Sequence, residues 1–183
     1  MTAKCVNGVD LDRLRATQDL IEADAQGPLA NPRYESTVVW NNGYHTLSRV
    51  TDGHEVIGDE PEQYGGKGVG ITPEDMLLTA VGNCLAATYI GGLSAAGIAV
   101  KSLRIHVSGR VNFRAAYGLE AANPGFDGIR VAVDVQAGSP PGQVKEVLER
   151  LLKTAPVPDT IIRPVPLEVE ISCKQAEPAA QAS

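Results

Sequence analysis

The first strong signal along the chain is an uncharged stretch. No residue from Met76 to Val100 carries a charge, so a helix there is apolar on nearly every face and is expected to be buried. Its start is marked. Thr72 stands where an N-cap belongs, Pro73 at the first helical position, and Glu74 and Asp75 in the first turn. A proline there gives up no needed hydrogen bond, and carboxylates suit the positive helix end.

The remaining pattern is more ordinary. Leu11, Leu14, Ile21 and Ala25 form a thin stripe over residues 9–25, interrupted by Gln18 and stopped by Gly27-Pro28, which predicts a helical appendage on the domain or on a partner subunit. Residues 34–40, 44–50 and 54–57 read as three strands. Asn41-Asn42-Gly43 and Asp52-Gly53 join them, the strongest short hairpin signals, so an antiparallel meander is expected. The run Gly65-Gly66-Lys67-Gly68-Val69-Gly70 reads as a flexible connector into the central helix. It is no P-loop, because Gly68 follows Lys67, and its glycine spacing is not that of a dinucleotide-binding turn.

Beyond the helix, residues 103–109 and 129–135 alternate apolar and polar positions, predicting two strands separated by a loop over 113–125. Val144, Val147, Leu148, Leu151 and Leu152 then fall on one helical face, with Glu146–Arg150 and Glu149–Lys153 as outward pairs and Pro156 as the stop. Residues 167–172 alternate again as a final strand, and 175–183 are expected to be disordered. The fold class implied is α+β: an antiparallel sheet packed on a long buried central helix and a second, amphipathic helix. One sheet cannot cover so apolar a helix, so a homodimer is expected.

Composition narrows the partners. A chain of 183 residues fits one domain with a real core. A net charge of -6, a pI near 5.1 and no basic cluster argue against nucleic acid and against anionic membranes. The uncharged run is long enough to span a bilayer, but its glycines, Asn83 and hydroxyl residues, without flanking Lys/Arg asymmetry, read as a core helix. The N-terminal residues lack the apolar run of a secretory leader, and Cys5, Cys84 and Cys173 make no disulfide framework. A cytoplasmic location is expected.

Most chemistry lacks its residues. His45, His54 and His106 sit at no ligand spacing, so neither a metal nor another cofactor is expected. The surroundings of Ser94 do not have nucleophile-elbow spacing. Cys84 is either inert packing or a reactive centre. It lies too far into the helix for the dipole to activate it, so reactivity requires a cation or donor from elsewhere in the fold.

From Thr72-Pro73-Glu74 through Leu77-Leu78 to Cys84, the chain resembles the active-site helix of the OsmC/Ohr family. A second landmark, Ala155-Pro156-Val157-Pro158-Asp159-Thr160-Ile161, is similar to that family's later Cys-Pro-Val motif. The resemblance covers residues 34–174, leaving 1–33 as an N-terminal helical extension and 175–183 as a tail. It implies an intertwined homodimer that reduces organic hydroperoxides. Cys84 would be the peroxidatic thiolate, and Glu74 would position an arginine over its sulfur. The family's resolving cysteine falls at Ala155, which implies a one-cysteine cycle with an external thiol reductant. Arg33, Arg49 and Lys67 are the candidate cations. The rival reading keeps the dimer but makes it a module that holds a small apolar ligand at its interface.

Overall fold

In the computed structural model, which describes residues 4–175, a short hairpin opens the chain. Strands β1 (Cys5–Val6) and β2 (Val9–Asp10) pair antiparallel around Asn7-Gly8, a feature too short to show as alternation in the sequence. Asp10 then caps α1 (Leu11–Ala23), its side chain accepting from the Asp12 and Arg13 amides. Only Leu11 of the apolar stripe is buried. Leu20 and Ile21 remain exposed, so the appendage is anchored at its base alone.

The meander is present as β3 (Ser36–Asn42), β4 (His45–Val50) and β5 (Glu55–Gly58), in the order β3-β4-β5. A bulge between Trp40 and Asn42 leaves Asn41 without a ladder partner while Asn42 pairs with His45, and Gly43 takes the positive φ. After a 3₁₀ turn at Glu62–Tyr64, the glycine-rich segment leads into α2 (Pro73–Ala95). The cap of α2 is as its sequence implies, with Thr72 Oγ1 accepting from the Asp75 amide.

Strands β6 (Val100–Val111) and β7 (Phe126–Ala137) form a long antiparallel ribbon. The connecting loop contains one short helix, α3 (Phe113–Ala116), capped by Asn112. The meander and the ribbon are separate sheets in this chain, where one sheet was expected. The antiparallel α+β architecture holds, with helices gathered on one face of the ribbon. The outward pairing of α4 (Pro141–Leu152) is Lys145 to Glu149 at 3.6 Å, in place of the two pairs expected from spacing.

Two further expectations are corrected. Pro156 begins a helix instead of ending one. After α4 the chain turns over Lys153–Ala155, and α5 (Pro156–Ile162) starts with proline at its first position, where the missing amide costs nothing. Residues 167–172 form no strand among the described residues. Leu167, Val169 and Ile171 are 88%, 71% and 82% exposed, because neither sheet edge of this chain lies alongside to complete a ladder. Residues 176–183 of the expected disordered tail lie outside the described residues.

The core lies between α2, the inner face of the ribbon, α4 and α5. Val81, Leu85 and Tyr89 of α2 join Ala155 in one buried cluster, and Leu93 joins Ile98, Val144 and Val147 in a second. Helices α2 and α4 approach closely at Gly92, where a Cβ would meet the Leu151 side chain. Full burial of a leucine such as Leu85 or Leu93 stabilises the fold by about 1.5–3 kcal/mol. Helix α2 is not buried all round, however. Leu77, Ala80 and Ala87 are exposed, Cys84 is half-buried on the same stripe, and Gly91 faces open space.

Candidate functional site

The approach to α2 is a built structure, not the flexible connector that its glycines suggested. Asp59 is 3% exposed, and its carboxylate accepts from the amides of Glu60 (2.9 Å), Lys67 (3.1 Å) and Val69 (3.2 Å). Burial alone would raise this carboxyl's pKa. The amides of Val69, Glu60 and Lys67, together with nearby His45, outweigh that and hold it below the usual carboxylate value. The amides of the glycine-rich loop thus already hold an anion, supplied by the chain itself.

Close packing completes the arrangement. A Cβ on Gly66 would collide with the backbone of Glu60, and one on Gly70 with the backbone at residues 57–59. Ile71 runs parallel to the end of β5, donating to the Ile57 carbonyl at 3.0 Å and bridging Gly58. The meander therefore sets where Thr72 begins α2, and hence where Glu74 and Cys84 stand.

Glu74 is half-buried in the first turn of α2. Burial raises the pKa of neighbouring Glu60, and the charges of Glu74 and Asp59 raise it further. Three carboxylates thus converge at the positive end of the helix. Glu74 and Cys84 are ten residues apart, about 15 Å along the axis, so one side chain does not reach the other.

Cys84 packs at the edge of the cluster formed by Val81, Leu85, Tyr89 and Ala155. Ala155 is fully buried and caps α5, so the position matching the resolving cysteine belongs to the same cluster as Cys84. The candidate cations stand elsewhere. Arg33 pairs with Glu35 at 2.9 Å, both well exposed, and Arg49 pairs with Glu55 at 2.8 Å across the meander. Lys67 is held through its backbone, and its side chain is exposed. Among the described residues no hydrogen bond or ion pair joins any of the three to Cys84 or Glu74.

Sequence reasoning missed two features near the site. Asp59 is one, and the only signal was a short acidic stretch, Asp59-Glu60-Pro61-Glu62, ahead of a glycine run. The other is a trough between β7 and helices α2, α4 and α5. It comprises adjoining cavities of about 800 and 420 Å³ that share Tyr89, Val131, Val133 and Leu152. Cys84 is not in its walls. Tyr89 is 4% exposed, and burial raises its pKa.

Comparison with known proteins places this geometry. The structure of an OsmC-like protein from Mycoplasma pneumoniae superposes with a TM-score of 0.61 at 20% identity, covering 72% of this chain and 89% of that one. An organic hydroperoxide resistance protein OsmC from Legionella pneumophila gives 0.54 at 14% identity, covering 70% and 88%. One from Elizabethkingia anophelis gives 0.52 at 15%, covering 69% and 86%. At such identities the likeness is one of fold. No curated protein sequence matches the chain. The sequence model described as OsmC-like protein matches residues 65–170, from the glycine-rich loop through α2 and its cysteine to the extended segment after α5. With more than half of its length matched and its fold shared, the chain belongs to the OsmC-like family.

Proposed function

We propose that this protein reduces organic hydroperoxides through Cys84, using an external thiol as resolver. One observation carries the reading: Cys84 is half-buried on an uncovered stripe of α2, instead of being sealed within the core. Family membership and the hydroperoxide-resistance names of structural relatives support it. In the reaction the Cys84 thiolate attacks one peroxide oxygen, the O–O bond breaks, and the alcohol leaves after protonation. Cys84 becomes a sulfenic acid. With alanine at 155, an external thiol condenses with that acid and releases water, and a second thiol then regenerates Cys84.

The stripe holding Cys84 is completed, in this proposal, by a second copy of the chain. That copy covers Leu77, Ala80 and Ala87, pairs with the extended segment at 167–172, and brings a cation within reach of Glu74 and the sulfur. The carboxylates at the start of α2 provide a seat for such a cation. A reducing cytoplasm would supply the resolving thiol.

Consumption of cumene hydroperoxide by the purified chain, with a dithiol present, tests the proposal. Activity should vanish in Cys84→Ser and persist in Cys5→Ser and Cys173→Ser. An inactive wild-type protein, or an active Cys84→Ser variant, would overturn it. Sedimentation of the same preparation should show a dimer, reverting to monomer when the chain is cut after Arg163.

A second reading rests on the trough. Its walls of Val131, Val133, Leu148, Leu152 and Ile161, with Tyr89 as the polar handle, suit an apolar ligand carrying one hydrogen-bonding group. A module of this kind would bind an apolar dye in competition with such ligands, and Cys84→Ser would leave that binding unchanged.

A further inference from the structure

The solvent face of the β6–β7 ribbon carries three arginines on an otherwise acidic protein, one of which, Arg104, stands opposite Asp134. Along β6, Arg104, His106, Ser108 and Arg110 point outward between the inward-facing Leu103, Ile105 and Val107, and Arg130 on β7 stands directly opposite Ser108. Four arginines of the fold are matched to carboxylates, Arg33 being one of them. Arg49, Arg114 and Arg163 bind acids at 2.8, 3.0 and 2.7 Å. Arg110 and Arg130 make no ion pair among the described residues, although the chain has 22 acids to 16 bases.

The two arginines also share a depression. Ser108, Gly109, Arg110, Asp127, Gly128 and Arg130 line a cavity of about 440 Å³ where the ribbon register slips between Gly109 and Val111. Bulges re-aim side chains and interrupt the ladder, leaving backbone groups unpaired. Gly128 has nothing within 4 Å of where its Cβ would stand, so the floor there is open backbone. Two guanidiniums and a hydroxyl around an open floor are the donor set for an oxyanion, because planar guanidinium forks match phosphoryl and carboxyl oxygens. Asp127, on the same wall, subtracts one charge and sets the sign of a specific test.

We propose that Arg110, Arg130 and Ser108 form a binding site for the phosphoryl group of a small ligand at the β6–β7 bulge. The site does not depend on Cys84. It would let the protein recognise a phosphorylated compound on the face opposite the thiol helix.

Inorganic phosphate is the probe, followed by ³¹P line broadening on the full chain at constant ionic strength set with sodium chloride. Saturable broadening is expected. Loss of one charge-assisted contact in Arg110→Ala or Arg130→Ala should weaken it roughly tenfold. Asp127→Asn should tighten it, while Arg163→Ala, which removes an arginine already bound to Asp159, should leave it unchanged. Unfolding midpoints establish that each variant is folded. The proposal fails if wild-type broadening does not saturate. It also fails if Arg163→Ala weakens binding as much as Arg130→Ala, which is the signature of general charge screening.

Discussion

Ala155 and Cys84 belong to one apolar cluster, the alanine wholly buried at the start of α5 and the cysteine half-buried on α2. A thiol introduced at 155 would join the cluster against which Cys84, the thiol proposed to react, is packed. Ala155→Cys is expected to restore an internal resolver. Its reduced form has one more thiol than the three of the natural chain, and peroxide should remove two of them together. Thiol titration in denaturant checks this. Overpacking a filled site should also cost about 1–3 kcal/mol of stability in the reduced form. Loss of a single thiol, oxidation stopping at the Cys84 sulfenic acid, would show that the two positions do not meet.

Gly70 packs against the backbone at residues 57–59, which cannot move aside as a flexible side chain can. Gly70→Ala should destabilise the protein by about 1–3 kcal/mol, read as a lower midpoint in urea. Since this contact sets the start of α2, peroxide consumption should fall in the same variant while Cys84 remains present. Unchanged stability would mean that the loop has room that the packing does not show.

Asn7 donates to Ser94 Oγ at 3.0 Å and to the Ile98 carbonyl at 2.9 Å, and accepts from the Val100 amide at 2.7 Å. Asn7→Ala leaves that amide without its partner, at a cost of roughly 1–3 kcal/mol. Hydrogen exchange at Val100 should accelerate markedly, while exchange at the centre of β7 tracks only the global change in stability. Equal effects at both places would show that Asn7 has no local role.

Asp59 and Glu60 are neighbours of opposite sign in their response to pH. The pKa of Asp59 is lower in the fold, so its contribution is present above the ordinary aspartate value, ~3.9, and is lost as pH falls through the folded value. Asp59→Asn should therefore cost most at neutral pH and converge on the wild type in acid. The pKa of Glu60 is raised, chiefly by burial and then by Glu74 and Asp59, so ionisation penalises the fold as pH rises above ~4.3. Glu60→Gln should stabilise the protein at pH 7 and give no gain at pH 3. Thermal unfolding across that range would separate the two, and a destabilised Glu60→Gln at pH 7 would indicate that a cation already neutralises the cluster.

Local signals were legible in the sequence wherever a residue acts on its own neighbours. Thr72 and Pro73 set the start of α2, Gly43 and Gly53 the hairpin turns, and Val144, Val147, Leu148 and Leu151 the core face of α4, although Leu152 of the same stripe is exposed. Misreadings arose where a distant part of the chain decides the outcome. The loop at 65–70 looked flexible because its anchor, Asp59, and the backbone it packs against lie on the far side of a turn. Pro156 looked like a stop because proline at the first position of a new helix resembles proline after an old one. Residues 167–172 carry strand alternation, yet a strand also needs an edge beside it. The same division runs through the proposed Cys84 site: the helix and its thiol are local, and the cation that the proposal requires is not.

The Asn7 contacts also order events in time. Asn7 leaves the ribosome early, but Val100, which it must engage, is made 93 residues later. At ~5–20 residues per second that is a wait of roughly 5–20 s, far longer than closing a short loop takes. The opening hairpin and α1 therefore have no docking place until the end of α2 and the start of β6 have been synthesised. Among the elements of this chain, the opening hairpin thus waits for a partner made near the middle of the sequence.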